Sequence, residues 1–153
     1  MDERADVAAS DPTWLCDVNV LVALVLSTHV HHRAAHAALR QHTGGWATTP
    51  MTEAALVRLL LNPLVAGRAF GVTDVLAVLR GVRQDPRWRW LPDASTLADA
   101  VIDISVLTGH QQVTDLHLVN LAAVSGVRLA TFDAAIPASL APADRGHVEV
   151  LPQ

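Results

Sequence analysis

Apolar positions come in short bursts separated by polar punctuation, and the spacing inside each burst decides the element. Thr13–Leu26, reading TWLCDVNVLVALVL, is apolar up to Cys16, places a carboxylate at Asp17 and an amide at Asn19, then resumes as LVALVL. A buried strand of about Trp14–Asp17 that turns into a buried helix fits this pattern. HVHHRAAHAALRQH carries Ala34, Ala38 and Leu39 at amphipathic helical spacing and ends at Gly44-Gly45, after which GWATT reads as a short strand. Thr49-Pro50 opens the next helix, MTEAALVRLLL, with Thr as N-cap and Pro at the first helical position, so Glu53 falls in its first turn and Asn62-Pro63 closes it.

The second half continues the alternation. Thr73-Asp74 starts a helix with Val75, Leu76, Val78, Leu79 and Val82 on its apolar side, and Pro86 stops it. RWRWL has period two, which puts Arg87 and Arg89 on one face of a short strand and Trp88 and Trp90 on the other. A helix is expected from Ser95 to about Leu107, a second from Thr114 as cap to Gly126, then a strand RLATFD ending on Asp133, and an edge strand in HVEVL. Strands alternating with helices of this size predict an α/β sandwich with a mainly parallel sheet. Residues 1–12 show no periodicity and read as a flexible leader, leaving residues 13–153 as a single domain.

Composition narrows the chemistry. With 153 residues and 51% hydrophobic content the chain buries a real core, while its apolar runs are too short for a membrane span and its acidic start lacks the features of a signal peptide. A cytoplasmic protein is expected. A formal charge of −4 argues against general electrostatic binding of nucleic acid, so phosphates would be held by a local basic face or a metal ion. All 11 basic residues are arginine, which removes the P-loop, Schiff-base and phospho-aspartate chemistries that rely on a lysine. The single cysteine, Cys16, sits in an expected core strand and reads as inert packing.

Four acids stand at equivalent places. Asp17 and Asp133 each end a strand, while Glu53 and Asp115 each lie in the first turn of a helix that opens after Thr. Strand C-termini and the N-termini of the following helices share one edge of a parallel sheet, so these four can converge. Any one alone suits a helix dipole or a turn. Together they repel, and a fold tolerates that mainly if a divalent cation neutralises them; oxygen-only ligands favour Mg²⁺, with Mn²⁺ as the alternative.

The ordered set Asp17-Val18-Asn19, Thr52-Glu53, Thr114-Asp115 and Thr131-Phe132-Asp133 resembles the PIN-domain nucleases, in particular the VapC toxins of toxin–antitoxin pairs. The likeness runs from about Leu15 to Ile136 and includes the phrases DVNVLVAL, GWATTPMTEAALVRLLLNP, TGHQQVTDLHLVNLA and LATFD. It implies a PIN-like three-layer α/β/α sandwich and a Mg²⁺-dependent endoribonuclease. In it Asp17, Asp115 and Asp133 match the family's metal-binding aspartates and Glu53 its fourth acidic position. Asn19 and Thr131 would be accessory polar groups. A homodimer is implied, with an RNA substrate and a VapB-like antitoxin whose C-terminal segment enters the acid groove. The alternative is a catalytically idle PIN-like module that binds RNA or a protein partner; a phosphatase using Asp17 as nucleophile is disfavoured by the missing lysine.

Other polar groups have two readings each. His32 and His36 share a helical face in the cluster His29, His31, His32 and His36, as a zinc site or as a polar helix start; His117 reads as ordinary packing. Arg58 and Asn62, four residues apart, either hold an RNA phosphate or stabilise a loop. Arg80, Arg83, Arg87 and Arg89 form the densest basic group, by default a solvated face, and otherwise a place where bases stack on Trp88 or Trp90 beside guanidinium groups, with Arg87 and Arg89 as the RNA contacts.

Overall fold

The structure, a computed structural model, describes residues 10–153. Five strands, β1 (Trp14–Cys16), β2 (Trp46–Thr48), β3 (Trp88–Trp90), β4 (Arg128–Thr131) and β5 (Val148–Val150), form one sheet in the order β3-β2-β1-β4-β5, and every pairing is parallel. Parallel neighbours need crossovers, and these are the helices: α1 (Val18–Val25), α2 (His32–Gln41), α3 (Pro50–Leu60), α4 (Pro63–Ala66), α5 (Val72–Val82), α6 (Val113–Ser125) and α7 (Ala135–Ser139).

Alternation along the central strands divides the core in two. Trp14 and Cys16 of β1 pack with Val20, Leu21, Leu56 and Val75 on the side of α1, α3 and α5, whereas Leu15 packs with Leu116, Val119, Ala122 and Ile136 on the side of α6 and α7. The result is a three-layer α/β/α sandwich. Burial on both faces explains why the strands read as continuous apolar runs.

Several expected boundaries move, each for a local reason. β1 stops at Cys16 because Asp17 is already the N-cap of α1, its Oδ1 accepting from the Val18 N–H at 2.7 Å. β4 stops at Thr131, since the Asp133 N–H turns back to the Thr131 hydroxyl at 3.0 Å. Asn62 ends α3 and at the same time caps α4, its Oδ1 accepting from the Leu64 N–H. α5 begins at Val72 and α6 at Val113, so Thr73 and Thr114 lie inside the first turns rather than at the caps.

The helix expected over 95–107 is absent; short 3₁₀ turns at Leu97–Asp99 and Ile104–Val106 stand there. Side chains intercept the backbone. Thr96 Oγ1 takes the Ala98 N–H, Asp103 Oδ1 takes that of Ser105, and Asn120 Oδ1, reaching from α6, takes that of Val101 at 2.8 Å. Of the leader, residues 1–9 lie outside those described, and Asp11 is pinned to Thr43, whose N–H donates to Asp11 Oδ2 at 2.8 Å. Among the described residues no helix is long and apolar enough to cross a membrane.

Candidate active site

β1 and β4 are adjacent, and their carboxyl ends bring residues 17–19 and 131–133 together. The Thr131 hydroxyl is the hub: it donates to Asp17 Oδ2 at 2.8 Å and accepts from Asn19 Nδ2 and the Asp133 N–H, each at 3.0 Å. Asn19 Oδ1 in turn accepts from the Phe132 N–H at 3.2 Å. Asn19 and Thr131 therefore hold the two acidic strand ends in one register. The acids themselves reach outward. Asp17 is 6% exposed at the base, Asp133 is exposed with Oδ1 accepting from the Ala135 N–H, and Asp115 projects half-buried from the first turn of α6.

Their charges interact. Burial pushes Asp115 up to about 6, and the carboxylates of Asp17 and Asp133 add to the rise. Asp17 is also raised, chiefly by burial and further by Asp133, against the hydrogen bonds from Thr131 and the Val18 N–H that favour its ionised form. A cavity of about 130 Å³ opens beside Asp115 and Asp133, lined also by Gln112 and Ser139. Among the described residues no three His, Cys, Asp or Glu side chains close on one point as the ligands of a bound ion do. The donor set nevertheless suits a hard cation: three carboxylates, with Asp17 and Asp133 raising Asp115 and Asp133 raising Asp17, and no nitrogen or sulfur ligand among them.

Glu53 belongs to the same edge but has different partners. Only 9% exposed, it accepts from the Thr48 hydroxyl at 2.6 Å and faces Arg83, whose Nε lies 3.6 Å from Oε1. Thr48 also accepts from the indole N–H of Trp88 at 2.9 Å. Thr48 and Arg83 as supports of Glu53 are absent from the sequence reading. The first could have been found as the last residue of a strand whose following helix bears the acid; the second has no local signal, since 30 residues separate Arg83 from Glu53.

The weaker expectations fare unevenly. Arg87 is not at the acid edge: it lies at the amino end of β3, where Nη1 donates to the carbonyls of Leu39 and His42 at 3.1 and 2.8 Å and ties α2 to the sheet. Arg89 donates to the carbonyls of Pro86 and Trp88, Arg58 is exposed on α3, and Asn62 is occupied as a helix cap. In the histidine cluster, His32 Nδ1 and His36 Nε2 bond the carbonyls of Ala23 and Leu24 at 2.7 and 2.9 Å and finish the end of α1, and the described residues there include no group of three His, Cys, Asp or Glu that could hold a metal ion. His117 is more than packing, with Nε2 at 2.8 Å from Asp93 Oδ2.

A five-stranded parallel sheet between two helical layers is the fold of the PIN-domain class, and it matches the crystal structure of Mycobacterium tuberculosis VapC20, a sarcin-ricin loop cleaving toxin, at a TM-score of 0.58 and 14% identity over 91% of this chain and 99% of that one. No protein-family model matches the sequence. Ribonuclease VapC38 of M. tuberculosis is 45% identical over 123 residues, 80% of this chain and 86% of the relative; ribonuclease VapC39 is 41% identical over 141 residues, 91% and 99%. The chain belongs to the VapC ribonucleases.

Proposed function

We propose that this protein is a metal-dependent endoribonuclease and the cytoplasmic toxin of a toxin–antitoxin pair. The observation that carries the reading is the convergence of strand ends β1 and β4 with the first turn of α6, where Asp17 and Asp133 raise Asp115 and Asp133 raises Asp17; negative charge crowded at one edge favours a divalent cation as its occupant. Ribonuclease names among its relatives support the same reading. Asp17, Asp115 and Asp133 would hold Mg²⁺, or Mn²⁺ in its place. Bound there, the ion supplies a water of lowered pKa and charge neutralisation at a scissile phosphate.

The chain's own groups do the positioning. Thr131 fixes the orientation of Asp17, and its bond to the Asp133 N–H sets where that carboxylate emerges. Asn19 locks the turn between them by bonding on both sides of the Thr131–Phe132 peptide. Glu53, held by Thr48, keeps Arg83 at the rim, where a guanidinium can meet RNA phosphate. The same carboxylates would accept an arginine from a VapB-like antitoxin in place of the ion, and the protein would act as a homodimer.

The test is cleavage of total cellular RNA by the purified protein. Discrete fragments are expected with Mg²⁺, and none with chelator or with Asp115→Asn. Fragments that persist in either control, or RNA left intact by the wild type in Mg²⁺, would overturn the proposal.

A further inference from the structure

Trp90 is the last residue of the edge strand β3 and pairs in register with Thr48, so it lies at the carboxyl edge that carries the acids. Two strand spacings, roughly 10 Å, separate it from the end of β1. It is 42% exposed, a large apolar surface for a strand edge, where charge or a covering loop is the usual arrangement. Arg83, at the C-cap of α5, spans two indoles: its guanidinium carbon lies 4.5 Å from the Trp88 ring centre and 5.1 Å from that of Trp90.

This group is held from beneath. The Trp88 N–H donates to Thr48, Thr48 donates to Glu53, and Glu53 pairs with Arg83 Nε. Fixing Nε leaves the Nη groups, which donate to nothing among the described residues, at the surface of a side chain that is 40% exposed. Arg80 is exposed three residues before Arg83 on α5, so a chain of net charge −4 carries two arginines at this end of the helix.

We propose that Trp90 and Arg83 form a stacking platform for a base of single-stranded RNA, Trp90 offering its indole face and Arg83 its free Nη groups to the adjoining phosphate. Unpaired bases stack on aromatic and guanidinium planes with little regard to sequence, and a cation beside the ring serves the backbone that must follow. Trp and Arg also serve protein interfaces, and RNA is taken as the occupant because the platform shares its sheet edge with the acids of a VapC ribonuclease. The platform rests on the nuclease reading above, since it presupposes that RNA is the ligand of this edge.

The experiment measures binding of a fluorescein-labelled, mixed-sequence RNA decamer in chelator, where nothing is cut, to the wild type, Trp90→Ala and Trp90→Phe. The comparison strand is the same decamer made abasic throughout. Trp90→Ala is expected to weaken binding of the intact decamer about tenfold, with Trp90→Phe near wild type and all three alike on the abasic strand. Equal binding by Trp90→Ala and wild type overturns the platform, as does an equal loss on both strands. A shift of the particle's mass on substitution with RNA affinity unchanged would assign the face to protein contact instead and overturn it too. Cleavage in Mg²⁺ is followed in parallel: if the wild type cuts RNA while Trp90→Ala binds normally, the platform alone fails, and if the wild type neither binds nor cuts, the nuclease reading fails with it.

Discussion

A single hydroxyl organises the acid edge. Thr131 is fully buried and partners Asp17, Asn19 and the Asp133 N–H at once, so Thr131→Val, which keeps the shape and removes the oxygen, leaves several polar groups without that partner. We expect a loss of about 2 kcal/mol of stability in urea unfolding and at least about tenfold slower RNA cleavage. Asp115 gives the opposite sign. Its folded value of about 6 lies above the unfolded 3.8, so the native state binds more protons across that window. Stability of the metal-free protein therefore declines as pH rises from about 4 to 6 and stays lower above it. Asp115→Asn should melt at a higher temperature than wild type at pH 7.5 in chelator, with the difference shrinking at pH 4.5; equal differences at both pH values would contradict the cause assigned here. At this scale the four acids were visible in the sequence because each interrupts an apolar run. Their supports were not: Thr48 is one threonine among many, and Arg83 finds Glu53 only through the packing of α5 on α3.

Elements formed where periodicity and punctuation agreed. Thr49-Pro50 starts α3, and Gly126 ends α6 in the left-handed region at φ 66°. A Cβ added at Gly126 would meet nothing within 4 Å, so Gly126→Ala costs backbone strain alone. About 1 kcal/mol is expected in thermal unfolding, with RNA cleavage unchanged because the αL turn opens β4 at its far end from the acids. The 95–107 segment was misread for the reason its sequence now displays. Val101, Ile102, Ile104 and Val106 suit a core as well as a helix, but Thr96 and Asp103 offer the backbone local partners that a helix would deny them, and Asn120 adds one from outside. Strand ends were set one or two residues too late at Asp17 and Asp133 because a capping side chain and a hydrophobic strand residue look alike until the turn is seen.

Across the whole molecule, the parallel sheet was legible because strands and helices alternate, and convergence of distant acids followed from that architecture. Strand order was less accessible: β1 pairs with both β2 and β4, and nothing local marks residues 128–131 as neighbours of residues 14–16. The central place of β1 makes the two core layers meet on either side of one three-residue strand, and puts both acidic turns at its carboxyl end. The packing of Arg83 over Trp88 and Trp90 is a product of the same topology, since β3 is the edge strand beyond β2.

The bond from Thr131 to Asp17 spans 114 positions of the chain. On a ribosome, Asp17 emerges early and waits for a strand made near the end of the message, so the acid edge has no finished form while synthesis is under way. A nascent or prematurely terminated chain that ends before Thr131 lacks Asp133 and the hydroxyl that orients Asp17. On the nuclease reading proposed above, cleavage would therefore require a chain made at least as far as Asp133.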